Sequence, residues 1–208
     1  PLLFNRNLHF HKLMGSGRNG TFDKTPDWRQ WAIIAAHDAF PPDDKKATAV
    51  FGKFIMGWMR FFSTETCSFQ LLPVEGHGTW DGKTVFGNLE RKAGYEGMVA
   101  VLTRATIRLG KMKYFWKEVA PVANQMANSP GFLFSVGVGE IPWIKQATFS
   151  IWRHTDDMKA FAYQSATHTH VIQRTHKEKW YSEDMFVRFK IIKIEGRLKG
   201  KLPVEGML

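Results

Sequence analysis

Residues 162–176 read AYQSATHTHVIQRTH and hold three of the chain's eight histidines. Imidazole suits both proton transfer near neutral pH and metal ligation, so it matters which of the three turns inward. On a single helix over residues 156–178, Met158, Phe161, Ala162, Ser165, His168, Ile172 and Thr175 form one stripe. At about 100° per residue, His170 lies roughly 200° from His168, toward water, and His176 roughly 80° away, at the margin. His168 alone is expected to face the core. A buried imidazole needs partners for its ring nitrogens. They are either backbone groups, as for an ordinary core histidine, or a metal. No second ligand stands at i+3 or i+4 on that face and no HExxH is present, which argues against a protein-only zinc site. Haem asks for one proximal histidine, because the porphyrin supplies four nitrogens.

Other residues could serve the same chemistry. In FLFSVGVGE (132–140), alternation sets Phe132, Phe134, Val136 and Val138 on one face and Leu133, Ser135, Gly137 and Gly139 on the other. Gly137 and Gly139 leave bare backbone that a flat cofactor, a packed helix or a bulge can approach. Arg104 lies in LTRATI, a strand that reads as buried, and needs a carboxylate such as Glu140 or an anionic ligand group. His77, in GHGTW, either caps a turn or reaches over a pocket. GSGRNG (15–20) fits no nucleotide-loop pattern.

The elements that position these residues follow from periodicity. Strands are expected at 28–38, 68–76, 98–107, 132–140, 146–153 and 185–195, and a strand or helix end at Leu8–Met14. A helix starts at PPDD (41–44) and carries Phe51, Phe54, Ile55, Trp58 and Phe62 on one face, to pack on a sheet or dip into a membrane. Another spans 111–126, with Pro121 expected to kink it. GHGTWDGKTVFGN (76–88) reads as a glycine-rich loop and 196–208 as an irregular tail. The second half runs β-α-β-β-α-β, the ferredoxin-like order. The first half resembles the back two-thirds of another such unit. The expected fold is therefore α+β: two ferredoxin-like halves, 1–96 (N-terminally incomplete) and 97–208, joined in one α/β-barrel-like body.

The 208 residues, 44% apolar and 14% aromatic, can build a large core or a pocket for a big apolar ligand. The single Cys67 excludes an internal disulfide framework and a CxxC metal site. No uninterrupted apolar stretch of about 18 residues occurs, so the chain is expected to be soluble or peripheral to a membrane. A net charge of +10 suits an acidic protein, an anionic membrane or nucleic acid, or serves solubility alone. No aromatic-rich RNA-recognition strand is present, so nucleic acid is not expected.

Taken together, FHKLMGSGRNGTF, HGTWDG, VAVLTRATIR, PGFLFSVGVGE, QATFSIWR and FAYQSATHTHVIQRTHKEKWYSEDMFVRF resemble the spheroidene monooxygenase family, from about His9 to Glu195. The resemblance implies a fold of the dimeric α/β-barrel haem-protein type, lacking here the usual N-terminal strand and helix. It also implies haem, molecular oxygen as co-substrate and a reduced ferredoxin as electron donor. The implied reaction hydroxylates an acyclic carotenoid and then forms a keto group. His168 matches the histidine of the family's FAY-x4-H pattern and is the implied iron ligand. Arg104 and Arg153 would pair with haem propionates, His77 or Trp80 would border the distal side, and Gly137 and Gly139 would lie by the cofactor. An oligomer and contact with the inner membrane, from the cytoplasmic side, fit this picture. The rivals are a barrel haem protein of other chemistry, such as a dehydratase or peroxidase, and a cofactor-free barrel that binds an apolar ligand.

Overall fold

The computed structural model describes residues 8–18, 25–37, 48–62, 65–90, 94–164 and 166–204, the side chains of 48–50, 60, 164 and 166–168 excepted. The PPDD helix start lies outside these residues. In chain order the elements are β1 (Leu8–Gly17), β2 (Pro26–His37), α1 (Thr48–Phe62), β3 (Cys67–Gly78), β4 (Val99–Ile107), α2 (Met112–Ala127), β5 (Phe132–Ile141), β6 (Lys145–Trp152), α3 (Thr155–Lys159), α4 (Ala166–Lys177) and β7 (Tyr181–Gly196). A 3-10 turn (Leu109–Lys111) leads into α2, and a π-helical turn (Ala160–Gln164) joins α3 to α4.

All seven strands form one antiparallel sheet in the order β2-β1-β5-β6-β4-β7-β3. The run from β4 to β7 has the ferredoxin-like order, its first strand lying between its third and its last. The remaining strands extend that unit at both ends, with β1 on β5 and β3 on β7. The join to β1 is short. Gly15 faces Gly139, Ser16 faces Val138, and the Ser16 hydroxyl donates to the Gly137 carbonyl at 2.8 Å.

The sheet curls. Phe69 on β3 meets Phe149 on β6, with ring centroids 4.9 Å apart, although two strands lie between them. Phe10 on β1 meets Trp80, just beyond β3, at 5.1 Å. Neighbouring strands sit about 4.8 Å apart, so these contacts require the two ends of the sheet to approach each other across its concave face. That face holds the larger core, with Met14, Ala100, Leu102, Val138, Ile151, Met185, Val187 and Phe189. The convex face carries the helices. There Val99, Val101 and Trp152 pack with Met126 of α2, Met158 of α3 and Phe161 of the π turn. Each fully buried large apolar side chain contributes about 1.5–3 kcal/mol.

Three expectations are corrected. The helix read as continuous over 156–178 is interrupted by the π turn, so a constant angular step from Met158 to Thr175 does not hold. A bulge at Leu133 moves Phe132 off the face of Phe134 and Val136. Phe132 stacks edge-on against Trp152 on the convex side. The apolar stripe of α1 does not lie on a sheet among the described residues. Phe54, Trp58 and Phe62 are exposed, as is Phe61, and Gly52 (φ 80°) breaks the helical run. Periodicity states which face a helix would bury, and says nothing of whether a surface is there to receive it.

The expected loop at 76–88 is partly strand. β3 runs to Gly78, and Asp81 and Gly82, both at positive φ, then make the two-residue turn between the bridged Trp80 and Lys83. Gly78 (φ 86°) is required there, because a Cβ would overlap the Asp184 carbonyl on β7. Gly78→Ala is expected to cost about 2–4 kcal/mol through strain and overlap. The check is a lower urea midpoint at unchanged m-value; an unshifted midpoint would refute it.

Candidate active site

Alternation along β4 sends neighbouring residues to opposite faces. Thr103 faces the helices, and Arg104 faces the concave interior. Thr103 is exposed, although it lies on a central strand beneath the helix layer and Val101 and Ala105, on the same face, are buried. The cross-strand row through it runs His77 (β3), Phe186 (β7), Thr103 (β4), Thr148 (β6) and Gly137 (β5). This floor is built largely of small side chains. Two rows along the same face, beyond Val101 and Ser150, Trp152 stacks on Phe161 at 5.2 Å. His77 closes the β3 end, exposed and stacked on Phe186 with centroids 5.6 Å apart. The next row contains Gly139, where a Cβ would meet the Gln146 side chain and the Lys145 carbonyl at 2.9 Å.

The helices above the floor are tied to each other. Arg174 of α4 pairs with Glu118 of α2 at 3.2 Å and with Glu178 at 3.0 Å, and covers the Trp180 ring. His170 is exposed, as expected, and so is His176, which helical spacing put at the margin. Ile172 is half-buried and Thr175 buried, four and seven residues after His168. The inward stripe thus holds along α4 itself. His168 lies on α4, but its side chain is outside those described. Arg153 is exposed at the end of β6, beside the start of α3.

Arg104 and Trp80 lie on the other side of the sheet from the helices. The Arg104 side chain is 1% exposed; Nη1 donates to Glu183, and Nη2 to Asp81 at 3.1 Å and toward Glu140 at 3.5 Å. Its guanidinium lies over the Trp80 ring, and Trp80 donates Nε1–H to Glu140 at 2.8 Å. Lys12 and Lys145 complete the cluster, at 2.7 Å from Glu140 and 2.6 Å from Asp81 respectively. The carboxylate partner weighed for Arg104, Glu140, is among its three. This places Arg104 and Trp80 in a structural lock rather than beside α4. Loss of Arg104 would leave the carboxylates facing one another, a change costing about 3–5 kcal/mol.

One residue passed over in the sequence stands out. Arg188, on β7, is 2% exposed on the convex face. Nη2 donates to Glu75, while Nε and Nη1 are buried without a hydrogen-bond partner. Each such donor costs about 1–3 kcal/mol. The available signal was an arginine inside MFVRFKIIKIE, the same kind of signal that singled out Arg104 in LTRATI. Among the described residues, no three His, Cys, Asp or Glu side chains gather to hold a metal ion. Burial pushes the Cys67 thiol up to about 11, so it is protonated at neutral pH.

No family model matches the chain. The spheroidene monooxygenase of Rhodobacter capsulatus is 34% identical over 206 residues, covering 98% of this chain and 84% of that protein. The chain belongs to the spheroidene monooxygenase family. The enzyme of the same name from Rubrivivax gelatinosus is 31% identical over 202 residues, 97% of this chain and 75% of its own. That from Cereibacter sphaeroides is 31% identical over 198 residues, 94% and 59% respectively. Family membership makes the chain a monooxygenase-type oxidoreductase. Among solved structures, one from Fusobacterium nucleatum covers 95% of this chain and 82% of its own at 11% identity, with a TM-score of 0.46. SnoaB, a cofactor-independent oxygenase from Streptomyces nogalater, covers 46% and 94% at 18% identity and 0.38. Both scores are too low to bear on the chemistry.

The lock is sensitive to acid. Burial pushes Glu183 up, but the Gly82 N–H, the Thr79 hydroxyl and Arg104 outweigh it and hold its pKa at about 2. Burial likewise opposes ionisation of Asp81, and hydrogen bonds from Lys12 and Lys145 lower its pKa to about 2. Both folded values lie below the ordinary 4.5 and 3.8. The stabilisation is therefore complete above those ordinary values and lost as pH falls through the folded ones. Melting temperature is expected to drop steeply from about pH 4.5 toward pH 2, and less steeply in Glu183→Gln. Identical slopes for the two proteins would count against the lock.

Proposed function

We propose that this chain is a haem-dependent monooxygenase that hydroxylates an acyclic carotenoid and oxidises the same carbon to a ketone. The observation that carries the reading is the exposed Thr103. On a central strand beneath the helix layer Thr103 alone is exposed, in one row with the small residues Thr148 and Gly137, in a chain whose relatives are named spheroidene monooxygenases. A flat, largely apolar macrocycle fits such a floor, and Arg188, with two unpartnered donors, fits a ligand that bears anionic groups.

In this reading His168, on α4 with Ile172 and Thr175, would be the residue that holds the haem iron. Gly137 and Gly139 keep side chains off the floor. His77 supplies a hydrogen-bond donor at the β3 end, and Arg153 meets a carboxylate at the rim. Phe186, half-buried in the Thr103 row, excludes water. Bound haem supplies an iron that activates molecular oxygen with electrons from a reduced ferredoxin. In each round one oxygen atom enters the substrate C–H bond and the other leaves as water, consuming two electrons and two protons. A second round at the same carbon yields a gem-diol, which loses water to give the ketone. The basic surface suits an acidic electron donor.

Reconstitution with haemin is expected to produce a Soret band that is lost in His168→Ala with far-UV circular dichroism retained. The reconstituted protein is expected to oxidise an acyclic carotenoid only when oxygen and reduced ferredoxin are both supplied. A protein that refuses haemin, or one that converts the carotenoid without oxygen, would overturn the reading.

No helix of the described residues is long and apolar enough to cross a membrane. The exposed Phe54, Trp58, Phe61 and Phe62 of α1 would instead rest on a membrane surface, where a carotenoid resides. Co-sedimentation with phosphatidylglycerol vesicles is expected, and Phe61→Ser/Phe62→Ser should weaken it. Binding unchanged in that variant would remove α1 from the contact.

A further inference from the structure

Arg188 is one of two arginines in the sheet that are nearly fully buried, and the two are treated differently. Arg104, on the concave face, has three carboxylates within reach, and its Nε alone lacks a partner. Arg188, on the convex face, has Glu75 on Nη2 and no partner for Nε or Nη1. A guanidinium cannot relieve its burial by losing a proton, as a lysine or histidine can. Unpartnered buried donors are rare in folded proteins and call for a reason.

The place of Arg188 supplies one. It follows Phe186 by one convex-face step along β7, and it pairs across the strands with Val101 of β4 and Glu75 of β3. Phe186 and the exposed Thr103 belong to one cross-strand row, and His77 follows Glu75 on the same face of β3. Arg188 therefore borders the open floor from the row beside it. The neighbouring Ser150 hydroxyl is already engaged by the Trp152 indole N–H at 3.0 Å. Among the described residues, its strand partner Val101 and the next convex-face residue Phe186 offer no acceptor side chain.

We infer that Arg188 holds an anionic group of whatever occupies this floor, with Glu75 fixing the guanidinium in place. The inference rests on the haem reading, and two sources share the chemistry: a carboxylate of the macrocycle, or a small anion bound against its iron. Arg188 is in either case a binding residue, and the donors left over from Glu75 are the ones it uses.

The test compares wild type, Arg188→Lys and the double variant Arg188→Met/Glu75→Gln, which removes both charges and strands neither. Near-ultraviolet circular dichroism reports folding. Soret titrations measure the affinity for haemin and for haemin dimethyl ester, which has no free carboxylate. A third titration adds azide to the ferric complex. If a macrocycle carboxylate is held, the double variant binds haemin about tenfold more weakly and the dimethyl ester as wild type does. If a small anion is held, haemin affinity is unchanged and azide affinity falls by about the same factor. Arg188→Lys keeps the charge beside Glu75 but loses the planar donors. It is expected to show the same pattern more weakly, and it decides the matter if the double variant does not fold. Folded variants that match wild type in all three titrations overturn the inference while leaving the haem reading intact. A wild-type protein that takes up no haemin overturns both.

Discussion

The curl of the sheet depends on one buried cation. Arg104 projects from the middle of β4 into the concave interior. The carboxylates it meets arrive from the turn after β3, from β5 and from β7. Lys12 on β1 shares Asp81 and Glu140 with it, so parts of the chain far apart along the sheet converge at one point. Trp80 is buried in the same place, held by Glu140, by the Arg104 guanidinium and by the Phe10 ring. The concave core brings the two ends of the sheet near one another without specifying a register between them. The charges do so, because each of these contacts requires its partners within about 4 Å.

That lock and the candidate site are two sides of the same strands. Thr103 and Arg104 are adjacent on β4, and the pleat sends one to the helices and the other to the interior. The concave side is filled and its arginine well supplied with carboxylates. The convex side is left with one exposed position on a central strand, Thr103, and an arginine with donors to spare. The helices are braced against each other by Arg174 and Glu118. With the π turn they cover Val101 and Trp152 closely, while Thr103, one convex-face step beyond Val101, stays exposed.

Much of this was legible in the sequence. The strands of the second half and their β-α-β-β-α-β order follow from alternation and helical spacing. His170 and His176 are exposed on α4, and Arg104 found the acidic partner weighed for it. Other features were not legible, for particular reasons. The π turn at Ala160–Gln164 and the bulge at Leu133 each shift the phase of a periodic pattern, and composition does not announce either. The aromatic stripe of α1 is amphipathic whatever lies opposite it. Arg188 sat unremarked in an apolar strand, because a buried arginine in sequence does not disclose how many of its donors are met.

The sequence by itself determined which residues alternate, which share a helix stripe, and which family the chain resembles, since all of these rest on local spacing or on ordered motifs. The tertiary structure alone decided that Arg104 and Trp80 stand across the sheet from α4, that His77, Thr103 and Gly137 share one row, and that Arg188 is left with free donors. The physical reason is that pleat and register convert a residue's position along its strand into a side and a neighbour. Register is set by partners up to more than a hundred residues away along the chain, as in the pairing of β3 with β7.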